Sequence, residues 1–74
     1  MESGGVTIYV YLLDEGTDVW RPTQAQPVGL HLYRVSGVVP TDERWQFQPG
    51  EIVRCERRIL SGKDQLVAIE KISN

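Results

Sequence analysis

Apolar and polar residues alternate along several stretches of this chain, and a period of two residues predicts β-strands. Over residues 6–12 the aliphatic side chains stand at every second position, with threonine and tyrosine between them. Such alternation is typical of a strand with one buried face. The turn-forming triplet Asp14-Glu15-Gly16 follows, so the pattern predicts a first strand and a tight hairpin whose returning strand begins at Thr17.

The second and third predicted strands are interrupted by residues that disfavour regular pairing. Residues 17–26 form the second strand, but Pro22 within it and Pro27 after it cannot donate ladder hydrogen bonds. This places the segment at an edge or gives it a bulge near Pro22, and an edge strand is the prediction. A reversal at Gly29 leads into a third strand over residues 30–35, which we expect to be buried on most of both faces.

The period of two is lost between residues 38 and 50. Residues 40–43 suit one helical turn, and the proline and glycine of 48–51 suit a type II turn. Between them lie Trp45 and Phe47, two large rings that we predict to plug one end of the molecule.

Alternation resumes over residues 52–60, and a turn at residues 61–64 leads into a last strand over residues 66–72. The apolar positions of the fourth strand share one inward face and are Val53, Cys55 and Ile59. Arg57 also falls on the apolar side, which predicts a bulge that restores the register.

Five short antiparallel strands joined by tight turns predict an all-β fold, a small five-stranded SH3-like barrel with one helical turn in the loop before the fourth strand. The alternative is an open, strongly bent five-stranded sheet that dimerises through an edge. The length of 74 residues permits one core. We therefore expect a single barrel domain over residues 6–72 after a flexible N-terminus at residues 1–5.

Composition and charge indicate the class of protein, its location and its partners. A hydrophobic share of 41% and a charged share of 24% are ordinary for a folded protein. The single cysteine excludes an internal disulfide, and no basic and apolar leader or membrane-spanning run is present, so a cytoplasmic location is expected. The net charge of −2 disfavours nucleic acid and anionic membrane surfaces as partners.

Two blocks of sequence stand out, LLDEGTDVWRP at residues 12–22 and WQFQPGEIVRCE at residues 45–56. A chain with both blocks resembles a group of small uncharacterised bacterial proteins, and the resemblance spans most of the chain. It implies a compact bacterial domain. Because no activity is assigned to that group, the resemblance implies no catalytic or binding residues.

Five residues are the candidates for a binding surface. Tryptophan and arginine are enriched at binding hot spots, which singles out Trp20 and Arg21 beside Pro22 on the predicted edge strand. On the fourth strand, Arg54 and Arg58 share a face with Glu56. Ordinary structural roles compete with binding in each case. Trp20 can cover the barrel flank, and Arg21 can pair with a nearby acid. The arginines on the fourth strand can form cross-strand charge pairs with Glu70 on the last strand.

The sequence offers little chemistry for catalysis. The one histidine, His31, lies on a predicted strand, and an inward Cys55 behaves as a small hydrophobe rather than as a thiolate. The acids at positions 14, 15 and 18 match no calcium loop and are explained by the turn that they flank. We therefore predict no enzymatic activity, no cofactor and no metal site.

Two functions remain as hypotheses. The first is a protein-interaction module, which self-associates or serves as a small subunit of a bacterial assembly through its edge strand. The alternative is a nucleic-acid-binding small β-barrel, in which the arginines of the fourth strand lie beside tyrosines of the first. Interleaved glutamates weaken this alternative.

Overall fold

The computed structural model describes residues 5–73, which form five β-strands in a closed barrel. The strands are β1 (Val6–Tyr11), β2 (Trp20–Gly29), β3 (Leu32–Val35), β4 (Ile52–Leu60) and β5 (Lys63–Ser73). Consecutive strands pair antiparallel, and the barrel closes through one parallel bridge, Tyr9 with Val67. Parallel closure follows from the strand count, since the first and last strands of an odd-numbered meander run in the same direction. The predicted all-β SH3-like barrel is confirmed, whereas the expected flexibility at residues 1–4 lies outside the described residues.

The core consists of the inward residues of the predicted alternation. Ile8 and Val10 of β1 are completely buried, and Cys55 of β4 is 1% exposed, as predicted. Burying one aliphatic side chain of this size contributes about 1.5–3 kcal/mol. The residues that share this core are Ile8, Val10, Leu12, Ala25, Val35, Trp45, Phe47, Val53, Cys55 and Ala68.

The two rings between β3 and β4 plug the barrel as predicted, with Trp45 at 3% and Phe47 at 5% exposure. They are held because their segment adds to the end of β1. Trp45 forms a bridge with Leu12, and the Gln46 N–H donates to the carbonyl of Tyr11 at 2.9 Å. The predicted helical turn at 40–43 is not present as a helix, since a single hydrogen bond from the Glu43 N–H to the Pro40 carbonyl, 3.2 Å long, closes a turn there.

The first connection is longer than predicted. The returning strand begins at Trp20 rather than at Thr17, and the Leu12 N–H donates to the carbonyl of Val19 at 2.9 Å. Gly16 has a φ of +80°, as a left-handed glycine in a turn requires. The predicted tight hairpin is wrong, because residues 13–18 lie between the hydrogen-bonded Leu12 and Val19, and Leu12 also forms a bridge with Trp45.

The second strand is neither a simple edge nor bulged at Pro22. Pro22 stands in regular register opposite Tyr9, and the irregularity in β2 lies between Pro27 and Gly29. The strand pairs with β1 through its first half and with β3 through its second half. The edge prediction is wrong for the strand as a whole, because β2 pairs with a neighbouring strand on each of its two sides.

The reversal after β2 also lies later than predicted. Leu30 is not part of a buried strand but is 85% exposed in the turn, and His31 adopts a left-handed φ of +61°. The turn before β5 has positive φ at both Ser61 and Gly62, as in a type I′ hairpin, and β5 therefore starts at Lys63. The turn at 48–51 matches its prediction, with Gly50 at a φ of +93°.

The predicted bulge at Arg57 is wrong. Pairing between β4 and β5 is regular from Cys55 to Leu60, and the register shifts fall between Ile52 and Val53 and between Arg54 and Cys55. Arg57 stays at an inward position of the alternation. It is not covered there, because β4 extends beyond its pairing with β3 at that point. Its side chain is 69% exposed.

Candidate functional site

The outer face of β1 carries aromatic residues that continue onto β2. Tyr11 stands opposite Trp20 in the ladder, and their rings make an edge-to-face contact with centroids 5.0 Å apart and planes at 65°. The Tyr11 hydroxyl donates to Asp18 Oδ1 at 3.0 Å, and this hydrogen bond raises the pKa of Tyr11. These contacts keep Trp20 half-buried on the flank rather than free.

The hairpin of β4 and β5 lies beside Trp20, so two of the predicted candidates, Trp20 and Arg58, are close in the fold. Val67 alternates with the core residue Ala68 along β5, yet it is 1% exposed at the point where β5 pairs with Tyr9 of β1. A groove of about 420 Å³ lies between the tryptophan and the hairpin, and its lining includes Trp20, Arg58, Ile59, Leu60 and Val67. We call this the tryptophan groove. It unites Trp20 with Arg58, which lie 38 positions apart in the sequence.

Arg21 points away from that groove. It forms an ion pair with Glu43, whose side chain is only 9% exposed, and the Trp45 indole N–H donates to Glu43 Oε1 at 3.0 Å. The hydrogen bonds from Arg21 and then from Trp45 lower the pKa of Glu43. Arg21 therefore holds the residue that orients the barrel plug, and the strand alternation leaves its neighbours Trp20 and Pro22 on the opposite face.

Arg54 and Arg58 are paired with carboxylates. Arg54 contacts Glu70 at 3.0 Å and Glu56 at 2.8 Å, and Arg58 contacts the other oxygen of Glu56 at 2.9 Å. The hydrogen bonds from Arg58 and then from Arg54 lower the pKa of Glu56, while Glu70 and Glu56 raise the pKa of Arg54. The predicted cross-strand charge pair of Arg54 with Glu70 is confirmed. These pairings reduce the positive field that a phosphate backbone requires.

The distal half of β4, Glu56 to Leu60, has a strand partner on one side only within residues 5–73. β3 pairs with β4 through Ile52–Arg54, and the last contact is the Cys55 N–H donating to the His31 carbonyl at 2.9 Å. Backbone groups in an antiparallel ladder alternate in direction along the strand. Because the backbone N–H of Cys55 points toward the β3 side, the N–H and C=O groups of Arg57 and Ile59 point to that side too. They lie beyond Leu32, the first residue of β3, and meet no strand there.

We call these backbone groups the open edge. Ile59 beside it is 68% exposed, and Arg57 is 69% exposed with Asp64 as its ionic neighbour at 4.0 Å. At the start of the open edge lies a recess of about 430 Å³ whose lining includes His31, Tyr33, Arg57 and Leu66. Sequence reasoning missed this edge. Its one signal was the arginine at an apolar position, which we interpreted as a bulge.

His31 and Cys55 carry side chains of types that take part in catalysis in other proteins. His31 and Cys55 are neighbours through their backbones, but the cysteine side chain is buried and burial raises its pKa to about 11. A neutral buried thiol is a poor nucleophile near neutral pH.

Two of the acidic residues in the loop between β1 and β2 are paired with other side chains of the molecule. Asp14 forms an ion pair with Arg44 at 2.6 Å, and Asp18 accepts the hydrogen bond from Tyr11. Among residues 5–73, no group of three or more His, Cys, Asp or Glu side chains is placed to hold a metal ion.

The part of the chain that the structure describes contains no helix long and apolar enough to span a membrane. Comparison of the chain with models of known families, with curated proteins and with solved structures finds no match.

Proposed function

We propose that the chain is a non-catalytic protein-interaction module that binds an extended segment of a partner protein along the open edge of β4. The observation that carries this proposal is the alignment of unpaired strand backbone at Arg57 and Ile59 with an exposed aliphatic side chain. We also propose that the chain is a cytoplasmic bacterial domain that serves a larger assembly. Its two sequence blocks and its single cysteine support this.

Strand addition explains how such an edge binds. Arg57 and Ile59 each offer one N–H and one C=O, so a partner strand can form four main-chain hydrogen bonds with them. A net gain of roughly 0.5–1.5 kcal/mol for each bond yields modest affinity, to which side-chain contacts add. Ile59, at 68% exposure, supplies the apolar part of that contact.

The arginine pairing favours a protein over a nucleic acid as the partner. Arg54 and Arg58 contact Glu70 and Glu56 at 2.8–3.0 Å, and the whole chain carries a net charge of −2. A nucleic-acid platform needs basic side chains that are free to neutralise phosphates.

A second copy of the chain fits the open edge poorly. A two-fold antiparallel pairing that uses both Arg57 and Ile59 has its centre at Arg58. It places the two Arg58 side chains directly opposite one another at the closer type of ladder position, where like charges are unfavourable. The edge therefore suits a strand of different sequence.

Two substitutions at one position test the proposal. Ile59→Pro removes an N–H that points to the open side and leaves the hydrogen bonds between β4 and β5 in place, whereas Ile59→Ala keeps the N–H and removes only side chain. Peptides selected from a random phage-displayed library on the immobilised full chain serve as probes. We expect Ile59→Pro to weaken their binding at least tenfold and Ile59→Ala to weaken it less than threefold, measured by fluorescence anisotropy, with circular dichroism as the control for folding.

Several outcomes contradict the proposal. Equal losses in both variants would assign binding to side chains alone. Loss in Trp20→Ala but not in Ile59→Pro would assign it to the tryptophan groove. Failure to select any peptide, together with binding of a labelled single-stranded oligonucleotide at low salt, would favour the nucleic-acid alternative. A mass of twice the chain in light scattering, lost in Ile59→Pro, would make the occupant a second copy.

A further inference from the structure

Arg57 is the least engaged of the three arginines of the hairpin. Arg54 and Arg58 lie within 3.0 Å of carboxylate oxygens, whereas Arg57 lies 4.0 Å from Asp64. Both partners of this long contact are well exposed, at 69% and 61%. A contact of this kind contributes little to stability, so it gives way readily to a better-placed carboxylate.

The charge of the molecule is divided unevenly between the hairpin and the rest. Residues 54–66 hold four basic and two acidic side chains, a net charge of +2, and the remaining residues carry −4. The open edge therefore lies on a basic element of an acidic protein. Like charges on the rest of the chain and opposite charges on the hairpin steer an acidic segment toward this edge.

The first residue of β3 marks where a bound strand can lie beside β4. β3 runs antiparallel to β4 and begins at Leu32, opposite Arg54. A segment that takes the space beyond this strand extends the line of β3, with the recess of Tyr33 and Leu66 at its end. An antiparallel segment meets Ile59 first and Arg57 two residues later. These two side chains share one face of the sheet, because strand side chains alternate.

We propose, on the basis of the function proposed above, that the open edge selects an acidic extended segment bearing an aliphatic residue, any residue, and then an aspartate or glutamate. In the antiparallel orientation the aliphatic side chain packs on Ile59, and the carboxylate pairs with Arg57. Opposite charges directly across a ladder and apolar cross-strand contacts both stabilise such a pair.

The probes are three labelled heptapeptides. The first is Ser-Thr-Val-Thr-Glu-Thr-Ser, the second carries lysine in place of glutamate, and the third exchanges the positions of valine and glutamate. We expect the first to bind the full chain at least fivefold more tightly than the second, and more tightly than the third, in fluorescence anisotropy. The preference for glutamate decreases as salt rises, because the pair is exposed.

A charge exchange supplies the matched test. Arg57→Glu should reverse the preference, so that the lysine peptide binds more tightly than the glutamate peptide, while Arg34→Glu changes the charge equally at an exposed position on β3 and leaves the order unchanged. Arg57→Ala should remove the preference without reversing it.

The outcomes separate this inference from the function on which it rests. If Ile59→Pro abolishes binding of selected peptides but Arg57→Glu leaves the preference between glutamate and lysine unchanged, the charge selection is overturned and strand addition stands. If the peptide with exchanged positions binds best, the antiparallel order is wrong. If none of the heptapeptides binds and Ile59→Pro has no effect on any selected peptide, both proposals fail.

Discussion

The two halves of β4 share one strand and one pattern of alternation but occupy different environments. The first half, Ile52 to Cys55, pairs with β3 and β5 and buries Val53 completely. The second half pairs with β5, and its apolar Ile59 is 68% exposed. Alternation marks which residues share a face, and only the rest of the fold decides whether that face is covered.

Truncating a side chain in the barrel core should destabilise the protein far more than truncating one in the distal half of β4. Trp45→Ala removes a ring that is 3% exposed, together with its hydrogen bond to Glu43. We expect a loss of about 3–5 kcal/mol in the free energy of unfolding, because truncating a large buried aromatic leaves a cavity and removes one hydrogen bond to Glu43, which keeps its ion pair with Arg21. Urea denaturation followed by circular dichroism measures the loss. A change below about 1 kcal/mol would mean that the loop between β3 and β4 is not a barrel plug.

Cys55 lies in the covered half of β4, and its burial should make the stability of the protein decrease at alkaline pH. Burial raises the pKa of this thiol from 9.0 to about 11, so folding favours the protonated form. Its contribution to stability is complete below pH 9 and is lost as pH rises through 11. A shift of this size amounts to roughly 2–3 kcal/mol. The stability advantage of the wild type over Cys55→Ala should therefore shrink between pH 9 and pH 11, and a constant difference would show that the thiol titrates normally.

The smallest expected effect belongs to the distal half itself. Ile59→Ala should change the free energy of unfolding by less than about 0.5 kcal/mol, because the side chain is mostly solvated. Amide exchange gives the sharper measurement. The N–H groups of Arg57 and Ile59 should exchange faster than those of Arg58 and Leu60, which point toward β5. Uniform protection along the distal half would show that the edge is covered.

Much of the barrel was predictable from local patterns. Val53 and Cys55 were assigned inward from alternation, Gly50 was assigned to a type II turn from its neighbours, and Trp45 and Phe47 were recognised as a plug from their size. These assignments succeed because each depends on residues close in the sequence and on the strong tendency of large apolar side chains to be buried.

The candidate site was less predictable. Trp20, Arg21 and Pro22 were proposed together, but Arg21 lies on the opposite face of the strand and pairs with Glu43. Trp20 instead shares a groove with Arg58. Both relations depend on how the hairpin and the loop fold across the barrel, which the spacing of residues along the chain does not record.

The sequence by itself determined the number of strands, the faces that enter the core and the rings that close the barrel. Periodicity and turn chemistry encode those features locally. The tertiary structure alone decided that β3 begins only at Leu32, opposite Arg54, while β4 continues to Leu60, leaving Arg57 and Ile59 with open backbone. Strand partnership depends on the relative lengths and registers of segments some twenty residues apart, and the pattern of β4 is the same whether or not a neighbour covers it.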